Sequence, residues 1–251
     1  MMAGHSHWAG IKYRKAAADA KRGKIFSKVA RQIMVAVREG GGDPESNLAL
    51  KYAIEKARSV NMPKDKIERA IKKAAGDGEG GRLVEIVYEG YAPGGVAVLV
   101  ETLTDNRNRT TSEVRHVFER RGGSLSGKCS VAWMFELRGM LMVDAEKVSE
   151  EAVLELAVEA DVEDVRREGG MWEILCAPRD LERIKGVFSG RGVTPKVAEL
   201  ARVPKDTVEL DAAAGRKVLQ LLNELEDLDD VQHVWANFDI PEEVVEREAG
   251  D

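Results

Sequence analysis

The chain has 251 residues, of which 43% are hydrophobic and 33% charged. That is the composition of an ordinary folded protein rather than a disordered one. No apolar run reaches the roughly 18–20 residues that a bilayer span needs, so no membrane partner is expected. The two cysteines, Cys129 and Cys176, have no CxxC partner and read as reduced structural thiols, with no disulfide or metal site.

The net charge of −6 conceals a sharp separation along the chain. Residues 1–38 hold nine Lys or Arg and one acid, Asp19. Through residue 82 the counts are 18 basic and nine acidic, and the remaining 169 residues hold 20 basic and 35 acidic, so +9 is followed by −15. A polyanionic partner for one end only is the reading that follows.

In chain order, residues 25–38 predict an amphipathic helix. Ile25, Phe26, Val29, Ile33 and Val37 gather on one face, and Lys24, Lys28, Arg31 and Arg38 lie opposite. Gly40-Gly41-Gly42 ends it. A second helix is expected at about 46–60 and a third at about 64–75, with Asn61 as a cap and Pro63 in the first turn. Residues 1–80 thus form a small basic helical domain, closed by the linker Gly76 to Gly81.

From Leu83 the pattern turns to strands. Val84, Ile86 and Tyr88 alternate with polar positions, Gly94-Gly95 turns the chain, and Val96 to Val100 return. A helix at about 111–121 and a strand around Val131 to Leu137 follow. Residues 138–205 then read strand, helix, strand, strand, helix, strand, the order of a ferredoxin-like sandwich. The tail adds Val208–Leu210, a helix at about 214–225 and a strand at about Val231–Phe238. Too small to fold alone, it supplies what residues 81–137 lack. The expected fold class is therefore α+β: an N-terminal helical domain and two ferredoxin-like α/β sandwiches. The discontinuous second domain is 81–137 plus 206–241, with the third (138–205) inserted into it and a tail at 242–251.

Several blocks carry a resemblance. They are Ala3-Gly4-His5-Ser6-His7-Trp8 with Ile11-Lys12 and Arg14-Lys15, then Asp19 to Phe26, and Asn61-Met62-Pro63-Lys64 with Ile67 to Ile71. Tyr88 to Val96, Thr104 to Thr110, Asp229 to Gln232 and Ala236-Asn237-Phe238 continue the series over nearly the whole chain. Together they resemble the YebC/PmpR family, although Gly10 and Tyr13 replace its usual Asn and His. The resemblance implies three domains, the first helical and the others α+β. Bacterial members are described as transcriptional regulators that bind DNA. Others, including the mitochondrial translational activator of cytochrome oxidase subunit one, are described as translation factors at the ribosome. The mitochondrial relatives carry a presequence that is absent here, which makes a bacterial cytoplasmic protein the expectation.

Lys12, Arg14, Lys15, Lys21, Arg22, Lys24, Lys28 and Arg31 are the candidate phosphate contacts, since one acid among ten charges is unlike an ordinary solvated face. Trp8 and Tyr13 among them could stack on bases, or Trp8 could anchor the arm to the core. In Thr104 to Glu113, Thr110 and Glu113 fit a capping box. Arg107 and Arg109 lie where a helix N-terminus favours an anion, with Arg115 one turn on. Asp105 could instead pair with either arginine. Gly90 to Gly95 lacks phosphate-loop spacing and reads as a turn. His5 and His7 have no ligand partners at metal spacing. Acid pairs such as Glu150-Glu151 and Asp229-Asp230 read as capping and solubility. Trp133, Phe135, Trp172, Trp235 and Phe238 read as core strand residues.

No catalytic set, cofactor or metal is expected, and the protein is read as a non-enzyme. The expected function is nucleic-acid-binding regulation of gene expression, by DNA-binding transcriptional regulation. The alternatives are a ribosome-associated translation factor on ribosomal RNA and tRNA, and a protein-binding scaffold.

Overall fold

The computed structural model describes residues 22–76, 83–168 and 170–240. Three helices open it: α1 (Arg22–Gly40), α2 (Leu48–Ser59) and α3 (Lys64–Ala75). Val29, Ile33 and Val37 recur at helical spacing on α1 and pack against Leu50, Ile54 and Ala57 of α2 and Ile67, Ala70 and Ala74 of α3. Buried Asn47 caps α2 by accepting from Leu50 N–H at 3.1 Å, and its Nδ2 donates to Ala36 O and Gly41 O, both at 2.7 Å. One side chain thus fixes the angle between two helices. Asn61 is not a cap; it takes the left-handed conformation (φ 57°) that ends α2, and Pro63 precedes α3.

A four-stranded antiparallel sheet follows, in the order β3-β1-β2-β9. It comprises β1 (Val84–Ala92), β2 (Val96–Thr104), β3 (Ser124–Ser126) and β9 (Val231–Ala236). Gly94 and Gly95, at φ 82° and 78°, make the β1–β2 turn that an L side chain would strain. Helices α4 (Arg107–Arg120) and α7 (Ala212–Glu226) cover one face, where Val98, Val100, Val114, Phe118, Val218 and Leu222 form a core.

The second sheet, β5-β6-β4-β7, is also antiparallel. Its strands are β4 (Phe135–Asp144), β5 (Asp164–Glu168), β6 (Met171–Cys176) and β7 (Val197–Pro204), and α5 (Glu150–Ala160) and α6 (Leu181–Gly190) cover it. The two sheets meet through Ala97, Leu99 and Trp235 on one side and Met140, Met142, Leu175 and Ala201 on the other. A short parallel pair, β8 (Val208–Glu209) with β10 (Phe238–Asp239), closes the tail. The chain is an α+β protein. Among the described residues, no helix is long and apolar enough to cross a membrane.

Two expectations change. Val131 to Leu137 is not a strand of the first sheet: Ala132–Met134 is a 3-10 turn, and one continuous strand, β4, runs from Phe135 to Asp144 in the second sheet. The backbone N–H groups of Val131 and Ala132 are taken by the Glu89 carboxylate rather than by a ladder. Strand β4 continues through Gly139 because any Cβ there would lie 2.6 Å from Cys176 Sγ. A boundary between 137 and 138 therefore falls within a strand. The second change is at α4, which starts at Arg107 with Asn106 as its cap, accepting from Arg109 N–H at 3.1 Å. Thr110 lies inside the helix, so the Thr110–Glu113 capping box does not form.

Candidate nucleic-acid interface

Lys12, Arg14, Lys15 and Lys21 lie outside the described residues, as do Trp8, Tyr13, His5 and His7, and Arg22 is described only as the first residue of α1. The other candidates divide in two. Lys24, Lys28 and Arg31 sit on successive turns of α1, as helical spacing requires. That face lies on the corner between α7 and β9. Lys24 Nζ is 3.3 Å from Asp227, Lys28 Nζ donates to Glu226 O at 2.7 Å, and Arg31 Nη2 is 3.0 Å from Asp230 Oδ1.

Asp230 is the centre of this corner. Only 2% of it is exposed. Arg109 Nη2 donates to its Oδ2 at 2.7 Å, and the Thr104 and Thr110 hydroxyls donate to the same oxygen at 3.0 and 2.6 Å. Burial would raise this carboxyl, but the bonds from Arg109 and Thr110, the Arg31 charge and Thr104 hold it below the ordinary aspartate range. Arg109 Nη2 also bonds Asp105 at 3.0 Å, which is the loop-closing pair considered from sequence. The contact with Asp230 raises the Arg109 guanidinium further. Arg31 and Arg109 thus converge on one carboxylate: Arg31 ties the helical unit to the corner beside the first sheet, and Arg109 holds Asp230 in place there.

Arg107, by contrast, is exposed at the first turn of α4, with exposed Arg115 two turns further on. On the outer face of α3, Lys64, Lys66, Lys72 and Lys73 are exposed too. Lys66 Nζ lies 4.9 Å from the Phe26 ring centroid, so its stem covers an apolar edge of the helical core. Lys64 Nζ is 3.7 Å from Glu68 Oε1, while Arg107, Arg115, Lys72 and Lys73 are exposed where an anion can approach.

The arrangement of a basic three-helix unit followed by two helix-covered sheets agrees with two family models. Residues 6–77 match the TACO1/YebC protein N-terminal domain, and residues 83–238 match the TACO1/YebC second and third domain. The chain belongs to the TACO1/YebC family. A relative from Aquifex aeolicus, named "Probable transcriptional regulatory protein", is 52% identical over 247 residues, 98% of this chain and 99% of the relative. One of the same name from Rubrobacter xylanophilus is 49% identical over 250 residues, covering 99% and 100%. The crystal structure of a conserved hypothetical protein from Aquifex aeolicus superposes with a TM-score of 0.86 at 51% identity, over 94% of this chain and 98% of that one.

Within this TACO1/YebC chain, sequence reading missed three residues. Asp230 reads in sequence as a boundary acid; its one visible signal is its place directly before an apolar strand. Glu89, also buried, accepts N–H bonds from Cys129, Val131 and Ala132 at 2.6, 2.8 and 2.9 Å. Burial would raise it, but these backbone donors bring it below the usual glutamate range. Trp133 was expected in the core with four other aromatics. Phe135, Trp172, Trp235 and Phe238 are buried, whereas Trp133 is 66% exposed. Among the described residues no group of three His, Cys, Asp or Glu side chains is placed to hold a metal ion.

Proposed function

We propose that this protein is a non-enzymatic regulator of gene expression that binds nucleic acid through the phosphate backbone. The observation that carries the reading is the separation of charge, +9 over residues 1–82 against −15 over the rest. Its TACO1/YebC relatives bear the name of transcriptional regulatory proteins, which supports a DNA target. Lys12, Arg14, Lys15, Lys21, Arg22 and Arg107 would supply the phosphate contacts. Lys24 and Lys28 would add to them where their contacts with Asp227 and Glu226 allow, and Arg31 orients the basic unit through Asp230, which Arg109 holds in place.

We also propose three units: a helical one (1–80), one of 81–134 with 206–241, and one inserted between them, the expected end at 137 moving back because β4 begins at Phe135. In support, β9 completes the sheet of β1 to β3, and the second sheet draws on residues 135–204 alone. The acid-rich surfaces of those two units then face away from the phosphates, where like charge would repel them, and Arg107 reaches across from the second unit.

Affinity for duplex DNA, measured as a function of salt, tests the proposal. With about six cations on phosphates, log affinity falls against log salt with a slope of about −5. A flat dependence overturns it. Sedimentation of the native protein with ribosomes after DNA digestion, and not with chromosomal DNA, would replace promoter DNA by ribosomal RNA as the target.

A further inference from the structure

Trp133 is presented to solvent by a loop that has been made rigid. Its indole Nε1–H donates to Ser130 O at 3.0 Å, and Tyr91 Oη bonds the same carbonyl at 3.4 Å. Ser130 Oγ closes the turn on Gly127 O at 2.8 Å. Beneath them the buried Glu89 carboxylate gathers the N–H groups of Cys129, Val131 and Ala132, and Cys129 is held at φ 63°. A large apolar ring fixed in water, with its polar atom already satisfied, gains nothing for the fold and is ordered in advance for a partner.

The surrounding charge indicates which partner. Residues 120–135 contain Arg120, Arg121 and Lys128 and no acid, inside a part of the chain whose balance is −15. Arg120 and Arg121 are engaged by Glu224 of α7, which leaves exposed Lys128 as the loop's own cation. Ser124, Ser126 and Ser130 add small hydroxyls. An exposed aromatic ring and an exposed cation in one acid-free stretch, within an acidic part of the chain, suit an unstacked base and its phosphate better than a folded protein surface.

We infer that the loop 127–133 is a stacking platform for single-stranded nucleic acid, with Trp133 taking a base and Lys128 its phosphate. This rests on the nucleic-acid reading above and adds a site remote in sequence from the basic helices. A duplex keeps its bases stacked and would not engage the ring.

The test uses the full chain carrying Trp8→Phe, since Trp172 and Trp235 are 5% and 6% exposed and shielded from a ligand. Titration with single-stranded oligoadenylate is expected to quench the Trp133 emission, whereas a DNA duplex of the same length does not. Trp133→Ala should abolish the quench and weaken oligoadenylate binding about tenfold, within the range of one stacked base, with the salt slope unchanged. Trp133→Phe should restore most of the affinity. Full affinity in the Ala variant, with the salt slope intact, overturns the platform and leaves the phosphate reading standing. Absence of any salt-dependent binding overturns both. Because the ring is exposed, an unchanged melting temperature is expected for each variant.

Discussion

Arg31 and Asp230 form an ion pair, 3.0 Å from Nη2 to Oδ1, in which the carboxylate is buried and the arginine comes from α1 in the basic unit. Arg109 approaches the same carboxylate from α4. Cations expected to face phosphate therefore join the parts of the molecule. A buried carboxylate between two guanidinium groups sets direction as well as strength, because its two oxygens take arginines from two different helices, α1 on Oδ1 and α4 on Oδ2.

Asp230→Asn is expected to cost about 2–3 kcal/mol, toward the lower end for a broken buried pair because both arginines retain contact with water. Chemical denaturation followed by circular dichroism measures it. An unchanged midpoint would mean that the α1 corner adds nothing to the fold.

The same pair sets an acid limit. The folded pKa of Asp230 lies below its unfolded value, so its contribution is complete above about pH 4 and disappears as pH falls through the folded value. Thermal melts of native and Asp230→Asn protein should therefore differ at pH 7 and converge as pH falls through the depressed folded value. Glu89, Asp144, Asp211 and Glu224 are depressed as well, so the native protein loses stability in acid by more than this one share.

The cations separate by task. Replacing Lys12, Arg14, Lys15 and Lys21 with Ala should make the salt slope shallower by about 3–4 and leave the melting temperature unchanged. Arg31→Ala should lower the melting temperature while reducing the slope by less than one. If Arg31→Ala instead removed a full phosphate without destabilising the protein, the Asp230 contact would not persist in solution.

Glu89→Gln exchanges an ionised acceptor of three backbone N–H groups for an amide that offers one oxygen. A loss of about 1–3 kcal/mol is expected. Cys129, exposed on that loop, should then label faster with a thiol reagent, while Cys176 stays protected, its thiol buried and pushed up to about 11. Equal labelling rates in the two proteins would show that the loop does not depend on Glu89.

Gly90→Ala tests close packing between β1, β3 and α4. A Cβ there would stand 2.6 Å from Ser124 O and 2.8 Å from the Phe118 ring. Destabilisation of about 1–3 kcal/mol is expected from overpacking, read by thermal unfolding. Gly127→Ala, which meets no atom within 4 Å, is the matched control.

The helical elements were legible because their signals are local. The spacing of Val29, Ile33 and Val37 and the glycines after them placed α1, and Lys64 to Ala75 were placed at both ends of α3. The strands of the α+β class were also legible, from alternation at Val84 to Tyr88 and the apolar run from Val96. The start of α4 is not legible in sequence, because Asn106 and Thr110 both resemble caps and only the hydrogen-bond partner of each separates them. The strand expected at Val131 failed for a similar reason: Glu89, far away in sequence, claims that backbone.

The order of the helices, the α+β class and the concentration of cations at one end follow from sequence alone, since periodicity, turn residues and charge are properties of neighbouring residues; the short β3 (Ser124–Ser126) and the single long β4 do not. The tertiary structure decided how those cations are used. Whether Arg31 or Arg109 meets water or Asp230, whether Asp230 is a surface acid or a buried anchor, and whether Trp133 packs or projects all depend on burial. Burial is set by which distant segments come together, and no local pattern records that.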